Sequence, residues 1–387
     1  MIDQIAIAGY RSIRSLVLRL DQLNVVTGPN GSGKSSLYRA IRLLADAAEG
    51  RLLHSLAQEG GLESTLWAGP ENFSREMVTG QLPVQGTLRR KPVSLQLGFT
   101  SNEFSYCLDL GLPQRSESAF SQDPEMKREC LWRGSSMLSR SLCADRRKCA
   151  LKCRAGNQPW RDIELSIAPQ SSMLTEYVDP FGCPELILMR DSIRSWRFYD
   201  TFRADAMAPA RRVAVGTFTP VMSNDGSDLA AALQTILEVG DSEGLRTAID
   251  SAFPGSEIRI SNDRLGMQLS LKQPGMLRDL SAAELSDGTL RFLLWVAALL
   301  TPRPPTLMVI NEPETSLHPD LIPALARLIV AASNDSQLIV VTHSEALIGH
   351  VCSQTVCESI RLQKRLGETI NENNSSLNQY GWKWPSR

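Results

Sequence analysis

The sequence has no surplus charge of either sign: 41 lysines and arginines face 42 aspartates and glutamates, a net charge of -1. No global field draws such a chain to nucleic acid or to an acidic membrane, so any contact of that kind must be local. It also has no run near the roughly 20 apolar residues of a membrane span. Its opening, "MIDQIAIAGYRSIRS", lacks the basic-then-apolar order of a secretory signal. These absences predict a cytoplasmic protein with no membrane partner. Internal repeats and low-complexity segments are absent too. The eight cysteines show neither the tight spacing of a secreted disulfide scaffold nor the CxxC pairs of structural zinc. Reduced thiols are the expectation, and Cys143, Cys149 and Cys153 in "CADRRKCALKC" form the one cluster to weigh against it as a metal site.

What is present is a chain of 387 residues, 42 % of them hydrophobic, enough for two or three domains with buried cores. Residues 2 to 27 alternate apolar and polar and predict two or three short strands, the last being "LNVVT". "SSLYRAIRLLADAAEG" follows, with Leu37, Ile41, Leu44 and Ala45 on one helical face and Gly50 as its stop. From about Gly80 to Trp196 the texture changes to short alternating pieces such as "KPVSLQLGFT", which predict an antiparallel sheet carrying a long insertion. Within it, Arg140, Arg146, Arg147, Lys148, Lys152 and Arg154 make the most basic patch of the chain. A solvated face is the preferred reading, with DNA contact as the alternative.

Residues 228 to 252 read as two helices broken near Gly240, and a short strand pair follows around "SEIRI" and "GMQLSL". "LSDGTLRFLLWVAALL" is a turn opening a very apolar helix. Strand (307 to 310), helix (320 to 332) and strand (338 to 342) then alternate as in a mostly parallel sheet covered by helices.

Two stretches carry chemistry on their own pattern. "GPNGSGKSS" fits the phosphate-loop pattern GxxxxGK[ST] through Gly28, Gly33, Lys34 and Ser35, and it stands between a predicted strand and a predicted helix. Asn30, Gly31, Ser32, Gly33, Lys34, Ser35 and Ser36 are the candidate phosphate contacts, with Lys34 neutralising charge and the Ser35 hydroxyl placed for Mg²⁺. "PTLMVINEPETSLHP" is a buried strand followed by an acidic loop, with Asn311 where such a strand end usually carries an aspartate.

The order of four stretches makes the resemblance. "GPNGSGKSS", "LSDGT", "LMVINEPE" and "VVTHS" resemble, in sequence order, the phosphate loop, signature loop, Walker B strand and switch histidine of ABC-type ATPases. "SLHPD" falls where that class has the loop communicating between subunits. The chain is most similar to the SMC and RecF-like branch, including AAA-family ATPases with "EPETSLHP" loops, over about residues 1–75 and 205–350.

That resemblance implies an α/β P-loop NTPase: an ABC-ATPase-like head with a mixed sheet, an antiparallel β subdomain and a helical lobe. The segments would be 1–80, 81–204, 205–290 and 291–387. It implies ATP and Mg²⁺ as cofactors and hydrolysis by a head-to-tail homodimer or higher oligomer. Ser286 and Gly288 would reach the nucleotide held by the other subunit, Glu312 would polarise the attacking water, and His343 would be the switch residue. Glu314 is open between catalysis and a capping role, and Gln58 is a weak candidate for the glutamine loop.

Partners would be a protein effector or DNA, since members of the branch act in DNA repair, chromosome organisation and anti-phage defence. A nuclease reading requires a Toprim domain, for which the tail after His343 is too short. Asn311 keeps an acceptor for the water around Mg²⁺ but loses the charge, at a cost on the order of 1 kcal/mol. A slow ATPase is therefore expected, with a non-hydrolysing ATP-binding scaffold as the alternative. Asn311→Asp is expected to tighten Mg²⁺ dependence modestly.

Overall fold

The computed structural model describes residues 1–84, 93–113, 119–156, 158–200, 202–264, 266–373 and 381–386. The chain divides into two compact units, one formed by Met1–Asp21, Val26–Trp196 and Ser359–Arg387, the other by Gln22–Val25 and Arg197–Glu358.

The first unit holds an eight-stranded sheet. Its order is Ile13–Arg19, Ile2–Tyr10, Leu95–Ser101, Phe104–Gly111, Glu125–Arg133, Leu142–Arg147, Ala150–Cys153 and Arg161–Ile163, with every neighbouring pair antiparallel. The helix Lys34–Glu49 starts directly after the glycine loop and stops at Gly50, whose left-handed φ of 75° lets its N–H close on Ala47 and Asp46 carbonyls. Leu37, Ile41, Leu44 and Ala45 are buried along it, and it packs against a second helix, Pro184–Arg194. That second helix lies inside the stretch expected to be sheet. Its buried Leu186, Met189 and Ile193 do follow helical spacing, but the Pro at its first turn and the preceding glycine look like loop punctuation.

Most of the basic run is the expected solvated face, with Arg140, Arg147, Lys148 and Lys152 exposed and Arg154 half-buried, but Arg146 departs from it. Strand alternation turns Arg146 inward with Ala144, while Arg147 faces solvent. Arg146 is fully buried, 3.2 Å from the equally buried Glu129, and donates to the carbonyls of Lys148, Ala168 and Ser171. Tyr106 and Ser172 hydroxyls and the Met173 N–H donate to Glu129. The pair is thus fully hydrogen-bonded, which is the condition for holding two charges in a core. Lys152 pairs with Asp162, and the Arg154 guanidinium lies over the Trp160 ring. The patch therefore loses its central charge to the interior.

The candidate metal thiols are not gathered: among the described residues no group of three or more His, Cys, Asp or Glu could hold a metal ion. Cys143 and Cys153 are buried free thiols and Cys149 is half-buried. One pair departs from the all-reduced expectation, since Cys352 and Cys357 form a disulfide across a five-residue separation.

The second unit is helical and parallel-stranded. Leu307–Asn311 pairs in parallel with Arg197–Tyr199 on one side and Gln337–Val341 on the other. Gln22–Val25 lies beyond Gln337–Val341, and the Asn24 amide donates to the Leu338 carbonyl at 2.9 Å. Leu307, Met308, Val309 and Ile310 are all buried, the continuous apolar run of a strand covered on both faces. Helices Asp287–Leu299 and Ile322–Ala332 supply much of that cover through Leu290, Phe292, Trp295, Leu325 and Ile329. The helices Leu229–Val239 and Ser242–Ala252 and a three-stranded antiparallel sheet (Glu257–Asp263, Gly266–Lys272, Leu280–Ser281) complete the unit.

No helix among the described residues is long and apolar enough to cross a membrane.

Candidate active site

In the first unit the site begins with backbone. Gly28, Gly31 and Gly33 have φ of 147°, 78° and 107°, a region that glycine enters without steric cost. Gly33 also has no room for a side chain, because a Cβ there would sit 2.1 Å from the Thr369 hydroxyl. Thr369 belongs to the strand Glu368–Asn371, and its Oγ1 donates to the Ser32 carbonyl at 2.8 Å. A Cβ on Gly28 would meet the Leu362 carbonyl at 2.1 Å. The hairpin of Glu358–Arg365 and Glu368–Asn371 therefore holds the glycine loop from behind. Sequence reasoning gave this hairpin no role, since "IRLQKRLGETIN" carries no motif of its own.

Lys34 is buried and its ammonium donates to the Gly28 and Pro29 carbonyls at 2.6 and 3.0 Å. Asn30 and Ser35 are exposed, Ser36 is half-buried, and the buried Ser32 hydroxyl has no hydrogen-bond partner among the described residues. The loop opens a helix of 16 residues, whose first-turn N–H groups have no intrahelical acceptor and attract anions. An ammonium, exposed hydroxyls and first-turn amides make a donor set that suits a polyphosphate and the cation that accompanies it. Gln58 is exposed on the helix Leu52–Gln58 and bonds the His54 ring.

In the second unit the strand Leu307–Asn311 runs into a loop bent at Glu312, which holds a φ of 47°. That left-handed conformation costs a non-glycine residue about 1 kcal/mol or more, so surrounding bonds must enforce it. The Glu312 N–H donates to the Val341 carbonyl at 2.7 Å. Glu312 Oε1 lies 3.1 Å from His343 Nε2. Glu314 completes the clamp: its Oε1 accepts from the Thr342 hydroxyl at 2.6 Å and from the N–H groups of His343 and Ser344 at 3.0 and 3.2 Å. Glu314 is thus the brace that fixes the histidine-bearing strand end against the acidic loop.

Asn311 sits half-buried at the strand end, and its amide nitrogen donates to Asp200 at 2.8 Å. Ser286 caps the helix Asp287–Leu299 through the Thr289 N–H at 3.1 Å, and Gly288 follows in its first turn. Ser316 and His318 lie in the next loop, where the His318 ring accepts from the Asp320 N–H. Arg211, which no motif contains, binds the signature loop to the Ala204 segment. It donates to the carbonyls of Ala204, Ala282 and Leu285 at 2.7 to 2.8 Å and to the Asp287 carboxylate at 2.8 Å.

A glycine loop opening a helix in one unit, with a capped signature loop and a carboxylate–histidine strand end in the other, define the class as an ABC-type P-loop ATPase head. The family model described as "AAA domain, putative AbiEii toxin, Type IV TA system" matches residues 23–349, most of the chain, and the protein belongs to that family. No curated protein matches the chain. Among solved structures it is similar to an SMC head bound to the C-terminal winged-helix domain of ScpA. Identity there is 12 %, covering 96 % of this chain and 97 % of that one, with a TM-score of 0.54. An SMC head domain from Thermotoga maritima matches at 16 % identity over 96 % of this chain and 97 % of that one, with a TM-score of 0.48. At such identity the first likeness speaks for the fold alone.

Proposed function

We propose that the protein binds ATP with Mg²⁺, hydrolyses it slowly in a head-to-tail homodimer, and uses the dimer as a switch for a partner. The observation that carries this reading is the Glu312–His343 contact, held by three donors on Glu314 at the end of a buried parallel strand. In the proposed reaction the Glu312 carboxylate orients and polarises water, and the His343 ring keeps that carboxylate in place. Lys34 and the glycine-loop amides bind the phosphates, with Asn30, Gly31, Ser32, Gly33, Ser35 and Ser36 around them. Mg²⁺, when bound, supplies charge neutralisation on the phosphate oxygens, with Ser35 and Asn311 as its protein-side contacts. Ser286 and Gly288 of one copy complete the site of the other.

A protein effector is the favoured partner over DNA, because the net charge is -1 and Arg146, the centre of the most basic run, is buried. The SMC head solved with a ScpA domain shows one head of this fold with a protein partner, and it lends that choice support. DNA repair and anti-phage defence are the settings the resemblance suggests.

One observation favours a second reading. Asn311 at the Walker B position removes a charge, and a non-hydrolysing scaffold that signals by assembly would tolerate that loss. Solution mass by light scattering tests the dimer. Glu312→Gln with ATP and Mg²⁺ should run as a dimer and Glu312→Gln/Ser286→Arg as a monomer. A monomer in both cases would remove the head-to-tail switch.

A further inference from the structure

The amide of Asn311 has a neighbour 111 residues away in the chain. Arg197–Tyr199 and Leu307–Asn311 run parallel, with Tyr199 opposite Ile310, so the next residues, Asp200 and Asn311, emerge together at the same end of the sheet. Their side chains meet at 2.8 Å. A carboxylate only accepts hydrogen bonds, so the amide nitrogen of Asn311 must face Asp200. The other end of the amide, its carbonyl oxygen, is then turned away from the carboxylate and left for a donor or a cation. Without Asp200 the amide could present either end.

We propose that Asp200 is a positioning residue for the nucleotide-bound divalent cation: it fixes the Asn311 amide with its oxygen outward and supplies, one strand over, the negative charge that position 311 lacks. The inference rests on the ATP-binding reading given above. An oriented ligand held by a charged partner is the usual arrangement around protein-bound metals, where the outer group sets both the direction and the basicity of the inner one. A carboxylate one hydrogen bond from Asn311 also lies within the range over which a charge acts strongly on a cation. Asp200 is exposed just past the end of the strand Arg197–Tyr199.

The pairing alters what Asn311→Asp should do. In the wild-type background the new carboxylate would face Asp200 directly, and like charges at that separation oppose one another. The benefit of an aspartate at 311 should therefore appear only when Asp200 has been neutralised.

The test is a cycle of four proteins: wild type, Asp200→Asn, Asn311→Asp and the double variant. Each is titrated with a fluorescent ATP analogue in Mg²⁺ and again in EDTA. The readout is the ratio of the two affinities, and Mn²⁺ binding to the nucleotide complex by electron paramagnetic resonance is the second measurement. Asp200→Asn should lower the ratio roughly tenfold, and the double variant should return it to within about threefold of wild type. Asn311→Asp alone should change it by about twofold or less. An unchanged ratio for Asp200→Asn, or an equal gain from Asn311→Asp in both backgrounds, overturns the proposal while leaving ATP binding intact. A wild-type protein that binds no ATP overturns both. Thermal melting of each variant identifies any that fails to fold, and Asp200→Ser, with the same expected loss, replaces Asp200→Asn in that event.

Discussion

At the scale of single residues, the site is built by side chains that bond backbone rather than by motif residues alone. Arg211 shows this. Its guanidinium joins four acceptors in a fixed fork, tying the signature loop to the segment around Ala204. A lysine has the charge but not the geometry. Arg211→Lys should lower stability by about 1–3 kcal/mol, as buried carbonyls lose their donors. It should also loosen the loop carrying Ser286, which hydrogen exchange at Leu285 to Thr289 would show. Protection equal to wild type would refute the tethering role. Glu314 is legible only in part from sequence: an acidic residue after Pro313 is visible, but its three donors come from residues 342 to 344, 28 to 30 positions away.

At the scale of elements, periodicity carries most of what the sequence reveals. The apolar run 307 to 310, the helix opened by "LSDGT" and the strand–glycine loop–helix unit follow directly from pattern, because burial on one or both faces imposes a period. What escapes is pairing between distant elements. The hairpin Glu358–Arg365 and Glu368–Asn371 holds the glycine loop through Thr369, yet Thr369 and Ser32 are separated by 337 residues. No local rule reaches that far.

The hairpin role makes a prediction at this scale. Thr369→Val keeps the volume and removes the hydroxyl that donates to the Ser32 carbonyl, at a cost of about 1 kcal/mol. Calorimetry should find ATP binding severalfold weaker, with the fold retained. Unaltered affinity would mean that the loop does not depend on this contact. Gly33→Ala should be far more damaging, since it adds backbone strain to a collision with Thr369. Arg146 is the complementary case. Its charge suggested a surface, whereas strand alternation placed it inside against Glu129.

At the scale of the whole molecule, the cysteines offer a simple check on the packing. Cys107, Cys130, Cys143, Cys153 and Cys183 are buried, Cys149 is partly accessible, and Cys352 is joined to Cys357. Burial pushes the Cys143 thiol up to about 11, with the nearby Glu185 carboxylate adding to it, so at pH 8 that thiol is protonated as well as shielded. For an acid whose pKa is raised by folding, the native state loses stability as pH climbs past the unfolded value near 8.5. A thiol reagent at pH 8 should titrate one cysteine in the native protein and six after denaturation without reductant. Eight reactive thiols in the denatured protein would exclude the disulfide, and several fast ones in the native state would contradict the buried core.

The sequence has no apolar run long enough for a membrane-spanning helix and no strong global field, and the order of four motifs pointed to the class. We propose that Glu312, braced by Glu314 and joined to His343, makes this head an enzyme. Mg²⁺-dependent phosphate release from the purified protein, wild type against Glu312→Gln, tests it most directly. Slow but measurable release by the wild type, lowered about 100-fold or more by the substitution, is the expected result. Equal rates from the two proteins would contradict it.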